Sequence, residues 1–184
     1  MTRALLHSLL VRQSLALKER FRARYPHPWL VWEPGAWNVS DGGEQNVAAT
    51  QLPTEELRDC LPVGDDALCF ELLQAMGAGS LSVGRASHNQ LVVNDATVSR
   101  EHLVLRADAS GKWTAERVAE AGPTSVDGAP LQPGTPCPLV SGATLQLGEV
   151  RMTFHSAEDF AARIERAAAR VVQSLGSSSG TARK

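Results

Sequence analysis

Cysteine is scarce in this 184-residue sequence: Cys60, Cys69 and Cys137 are the only three. An odd set without CxxC spacing points to neither a zinc site nor a disulfide framework, so reduced, buried thiols are expected. Charge of one sign is also lacking. The formal net charge of −2 gives no general reason to expect a nucleic-acid or membrane partner. No apolar run approaches the ~20 residues of a membrane span. Leu5 to Val11 behind Arg3 has the look of a short signal-peptide core. It is cut by His7, closed by Arg12 and followed by no small-residue cleavage site, so a cytoplasmic protein is expected. The five histidines, His7, His27, His88, His102 and His155, show no metal-ligand spacing. HExxH, P-loop and Gly-x-Ser-x-Gly patterns are absent, and the pairs Glu55-Glu56 and Asp65-Asp66 read as solvated acids. The expectation is no enzyme, no catalytic residue, no metal and no cofactor.

What is present divides into three parts: 1–67, 68–156 and 157–184. Residues 4–24 read as a helix with Leu6, Leu10, Leu17 and Phe21 on one face and Leu9 beside it, capped by Thr2 and ended by Pro26 and Pro28. Its basic residues are expected to lie on the acidic stretch from Glu33 to Asp66. Trp29, Trp32 and Trp37 then stand among turn residues, which predicts an irregular segment that packs onto something. Thr54-Glu55-Glu56-Leu57 suggests a short helix. At the other end, Ser156 with Asp159 forms a capping-box pattern. It opens a helix to about Leu175 with Phe160, Ile164, Ala168, Val171 and Leu175 on one face, and a disordered tail is expected from Ser177.

Between these, short apolar runs are split by Gly, Asn, Asp and Pro, the pattern of an all-β domain. Strands are expected at Cys69–Leu73, Leu81–Val83, Leu91–Val93, His102–Leu105, Trp113–Val118 and Ser125-Val126, with a turn at Asp127-Gly128. Period-two alternation on both sides of Gly148-Glu149 predicts a hairpin. The stretch 83–102 is the informative one: two strands separated by two polar loops, with Arg85 at the end of one strand and Ser99-Arg100 just before another. If the strands are antiparallel neighbours, both loops emerge at one end of the sheet. A guanidinium fork and a hydroxyl would then stand near one point, suited to phosphate oxygens.

The spacing Gly84-Arg85, Asn89, Asp95, Ser99-Arg100-x-His102 resembles the signature of the forkhead-associated (FHA) family. Trp113, Val126-Asp127-Gly128-x-x-Leu131, Leu139, Gly142, Leu145 and Leu147-Gly148 follow in the family's order. The resemblance implies a mainly β fold, an eleven-stranded β-sandwich, here with a helix at each end, whose apical loops bind phosphothreonine. It implies that Arg85, Ser99, Arg100 and Thr124 meet the phosphopeptide, while Gly84, Asn89 and His102 support the loops. The sequence departs from the family where an Asn-Gly pair usually precedes the conserved Thr: Gly122 and Pro123 stand there instead. Two functions follow. One is an adaptor in bacterial Ser/Thr kinase signalling, whose partner is a phosphothreonine-bearing protein or a kinase. The other is a phosphate-independent FHA-type scaffold using another surface. Recognition of the chain's own phosphorylated Thr50 or Thr54 is a further expectation.

Overall fold

A computed structural model of the protein describes residues 3–33, 66–73, 79–118 and 120–178. Trp37, Thr2, Thr50, Thr54, Cys60 and the helix expected at 54–57 lie outside the described residues.

Two sheets form a sandwich. One has seven strands in the order β1-β3-β2-β12-β11-β8-β9: Arg3–Leu6, Leu68–Glu71, Trp29–Trp32, Val150–His155, Thr144–Leu147, Thr124–Val126 and Ala129–Pro130. The other has five in the order β10-β7-β6-β4-β5: Cys137–Leu139, Trp113–Arg117, Leu103–Ala107, Ser80–Gly84 and Leu91–Val92. The twelve strands among the described residues are close to the eleven implied by the resemblance. Leu30, Trp32, Phe70, Leu81, Val83, Leu103, Leu105, Leu145 and Met152 are among the side chains that fill the space between the sheets. The expected hairpin is present, with Leu147 opposite Val150 across Gly148-Glu149. At Asp127-Gly128 both residues have positive φ, 50° and 80°, the twist that a tight two-residue hairpin turn requires.

The N-terminal third differs from expectation in three places. Arg3–Leu6 is a strand paired with Leu68–Glu71, and only then does the chain turn into α1, His7–Leu17. The helix breaks at Lys18, whose φ is 49°, and resumes as α2, Arg20–Arg24. The cap on α1 comes from far along the chain: the Asp66 carboxylate accepts the Ser8 backbone N–H at 3.0 Å, as an N-terminal acid should. The segment around Trp29 is likewise not irregular. Trp29–Trp32 is a strand buried on both faces, with Leu30 and Trp32 turned into the sandwich and Trp29 and Val31 turned toward the helices. A strand covered on both sides shows no hydrophobic-polar alternation, and that hid it in the sequence.

The last helix, α3, runs Ala157–Ser178, longer than expected, so Ser177 and Ser178 are helical and not part of a tail. Ser156 Oγ accepts the Asp159 N–H at 3.1 Å and donates to its carboxylate at 2.9 Å, completing the cap. Phe160, Ile164 and Ala168 are buried with Leu10, Phe21 and Trp29, but Val171 is 42% exposed, and of Leu175 only the backbone is described. Trp29 stacks on Phe160 with centroids 4.4 Å apart, and Tyr25 meets Trp29 edge-on at 5.7 Å. Arg22 finds its carboxylate on α3, at Glu165; residues 34–65, most of the acidic stretch expected to meet the basic residues, lie outside the described residues. Glu33, where that stretch begins, is instead held by Arg163 of α3 through two bonds of 2.8 and 2.9 Å. The result is three layers: five-stranded sheet, seven-stranded sheet, helices.

Candidate phosphate site

The site grows out of one end of the five-stranded sheet. β4 pairs antiparallel with β6, Val83 opposite Leu103, and parallel with the two-residue β5. The antiparallel neighbours that bring the two loops together are therefore β4 and β6, and not β4 and β5. Arg85 leaves β4 as Ser99 and Arg100 approach β6, and the backbones join. Arg85 N–H donates to Ser99 C=O at 2.9 Å and Ala86 N–H to Arg100 C=O at 3.1 Å.

Three residues fix this junction. Gly84 is packed so closely that a Cβ would lie 2.3 Å from the Arg100 carbonyl oxygen, so no other residue fits without moving a backbone. Asn89 is buried, and its amide donates to the carbonyls of Ala86 at 2.9 Å and Arg100 at 2.7 Å, tying its own loop to the next. His102 is fully buried. Its Nδ1 accepts the Ser99 backbone N–H at 3.0 Å, which leaves the ring proton on Nε2, facing Thr124 Oγ1 at 2.9 Å. Burial, above all, lowers the His102 pKa; the Arg117 charge adds to this, and a hydrogen bond to the Pro123 backbone opposes it. The imidazole is thus held neutral, the only form in which Nδ1 can accept.

Around this frame the candidate ligand groups differ in their freedom. Arg85 is half-buried, and its Nε donates to the Val98 carbonyl at 3.2 Å. One nitrogen is thereby anchored, and among the described residues no carboxylate pairs with the guanidinium. Ser99 Oγ, also half-buried, accepts the Gly122 N–H at 2.8 Å. Its own proton therefore remains available to a ligand. The Arg100 side chain is exposed. Thr124, expected at the peptide surface, is buried, and its hydroxyl donates to the Gly122 carbonyl at 3.1 Å. It stands beneath the loop.

Two features had no part in the sequence reading. The Gly148-Glu149 turn of the opposite sheet clamps both neighbouring loops: Gly148 N–H donates to Pro123 C=O at 3.1 Å, and Glu149 N–H to Thr97 Oγ1 at 2.9 Å. Thr97 is set for this by Asp95, whose carboxylate accepts its N–H at 2.8 Å. The second is Arg117, which donates to the Ala121 carbonyl. It had a signal in the sequence: Trp113, Ala115 and Arg117 share the inward phase of β7, where a charge needs a reason.

Among the described residues no group of His, Cys, Asp or Glu is placed to hold a metal ion, and no helix is long and apolar enough to cross a membrane. Cys69 is buried, which pushes its thiol pKa far up and leaves it inert; Cys137 is a half-buried free thiol.

No curated protein matches the chain. Solved structures similar to it include three FHA domains. An Arabidopsis thaliana domain is 26% identical with a TM-score of 0.42, covering 50% of this chain and 74% of its own. A Chlamydia trachomatis domain is 15% identical with a TM-score of 0.43, covering 70% and 96%. A third, solved in work on phosphothreonine-dependent FHA interactions, is 20% identical with a TM-score of 0.43, covering 70% and 95%. Residues 81–148 match the family model of the FHA domain. That span, somewhat over a third of the chain, holds Gly84, Arg85, Asn89, Ser99 and His102 in the geometry described above, and over it the chain is similar to the FHA domain.

Proposed function

We propose that the loops bearing Arg85 and Ser99 bind phosphothreonine in a partner protein, making the chain a binding module and not an enzyme. The observation that carries this reading is the pair of anchored but unsatisfied donors. Arg85 is fixed by one nitrogen to Val98, and Ser99 Oγ has one lone pair taken by Gly122 and its proton free. A phosphate carries a charge of about −1.5 to −2 and three acceptor oxygens, and charge-assisted bonds to it are worth about 1.5–3 kcal/mol each. Arg100, exposed beside them, adds charge at the rim. Asn89, His102 and Thr124 act through the loops and not on the ligand. The FHA signature supports threonine as the phosphorylated residue, and a Ser/Thr kinase pathway as the source of the partner.

A second reading, a phosphate-independent scaffold, is favoured by one observation: Gly122 offers a ligand no side chain where the family usually has Asn. A pull-down with a phosphothreonine peptide library beside its unphosphorylated twin separates the two. Capture restricted to the phosphorylated set supports the first reading, and equal capture supports the second.

A further inference from the structure

We propose that Arg117 is a positioning residue for the phosphate site, acting through the Ala121–Gly122 peptide group to aim the Ser99 hydroxyl. The proposal rests on the phosphothreonine reading given above and extends it. Arg117 ends β7, opposite Leu103 of β6, so its side chain starts on the inward face of the sandwich at the site's end. Its guanidinium donates to the Ala121 carbonyl, while its Nε is buried without a partner. Among the described residues no carboxylate pairs with it.

The side chain as a whole is half-buried, but enclosing its Nε without a partner is costly, and the bond to the Ala121 carbonyl is what the guanidinium gains in that place. The carbonyl it holds and the N–H that meets Ser99 belong to a single peptide group. Ala121 C=O accepts from Arg117 on one side, and Gly122 N–H donates to Ser99 Oγ at 2.8 Å on the other. A peptide is planar, so fixing the direction of its oxygen fixes the direction of its N–H. A donor on the carbonyl also polarises the group and strengthens the bond its N–H makes. With one Ser99 lone pair occupied, the hydroxyl proton is directed elsewhere, to a ligand oxygen. If the peptide flipped, its carbonyl would face Ser99 and claim that proton. Nothing else tethers this peptide group by hydrogen bonds among the described residues, and Gly122 itself imposes little on the backbone. The Asn side chain usual in the family is absent from this loop, and Arg117 supplies order from behind.

The test uses the full chain and an isotope-labelled preparation of it. In Arg117→Met, the Gly122 amide proton should move upfield and exchange faster. Affinity for a phosphothreonine peptide captured by the parent should fall about five- to tenfold, with thermal unfolding still cooperative. Arg117→Lys, which keeps a donor and the charge, should recover most of the amide shift and of the affinity. A Gly122 amide unmoved in Arg117→Met, or an affinity equal to the parent's, overturns the proposal. Should Arg117→Met fail to fold, Arg117→Ala decides by the same resonance: a Gly122 amide displaced upfield and exchanging faster supports the relay, and an unshifted one contradicts it. If the parent binds no phosphopeptide, the functional reading fails, and the Gly122 amide alone settles whether the relay exists.

Discussion

The side of the molecule covered by helices and the end that carries the site are held by different forces. Where α1 and α3 cover the seven-stranded sheet, stability comes from apolar contact: Phe21, Tyr25, Trp29 and Phe160 form a continuous aromatic run, with ion pairs only at its margins. At the site the loops are joined almost wholly by directed bonds to backbone groups, from Asn89, His102, Thr97, Arg117 and the Gly148-Glu149 turn. Apolar packing is non-directional and tolerates small displacements, whereas a hydrogen-bonded loop loses its geometry when one donor goes. Substitutions on the helix side should therefore change stability without changing recognition, and substitutions at the site should do the reverse.

The largest expected effect lies on the helix side. Trp29→Ala removes a fully buried ring that stacks on Phe160 and should cost about 3–5 kcal/mol in chemical denaturation. In whatever fraction remains folded, phosphopeptide affinity should match the parent. A loss of affinity in the folded protein would show that the two regions are coupled.

The pH dependence of stability bridges both regions. Burial is the leading cause of a lowered pKa at His7, His102 and His155; Arg163 adds to it at His7 and His155, and Arg117 at His102. Carboxylates oppose the shift at two of them, Asp66 and Glu33 at His7 and Glu33 and Asp159 at His155. A histidine with a lowered folded pKa takes up its proton in the unfolded chain first. Stability from these residues is therefore complete above the ordinary value of about 6.5 and is lost as pH falls from there toward the folded pKa values. Melting temperature should drop across that window. His102→Gln should flatten part of the drop, the rest persisting through His7 and His155; an unchanged profile in that variant would remove His102 from the account.

The smallest effect is a gain. A Cβ added at Gly122 would meet Ser99 Oγ at 3.5 Å and His102 Cε1 at 3.8 Å, ordinary contact, so an Asn side chain can start there. Pro123 contributes only its carbonyl to the clamp from Gly148, which Gly would keep. Gly122→Asn with Pro123→Gly should tighten phosphopeptide binding by about 1 kcal/mol, some fivefold, and Gly122→Asn alone by less. Equal affinity of the double variant for phosphorylated and unphosphorylated forms of one peptide would favour the scaffold reading.

Much of the sandwich was legible because its strands are half-buried: Leu145 and Leu147, then Val150, Met152 and Phe154, alternate as a two-faced strand must. The FHA spacing picked out Arg85 and Ser99, and their loops do meet, although through β4 and β6. Three things were hidden for physical reasons. Trp29–Trp32 is buried on both faces and so carries no period. Arg3–Leu6 runs directly into a helix, and its apolar residues fit a helical face equally well. Thr124 and Arg117 hold the loop between them through the carbonyls of Gly122 and Ala121, and Thr124 also meets the His102 ring across the sandwich; the inward phase of Arg117 marks that residue, but spacing does not reveal the bonds themselves.

The most direct test is calorimetric titration of the parent, Arg85→Ala and Ser99→Ala with one phosphothreonine peptide and its unphosphorylated twin, with melting temperatures measured alongside. The structure predicts that the parent binds only the phosphorylated peptide. Each substitution should abolish that binding while moving the melting temperature little, because each side chain is half-buried at the loop end of the sheet and neither belongs to the apolar core. Unchanged affinity in both variants, or a parent that binds both peptides equally, would contradict it.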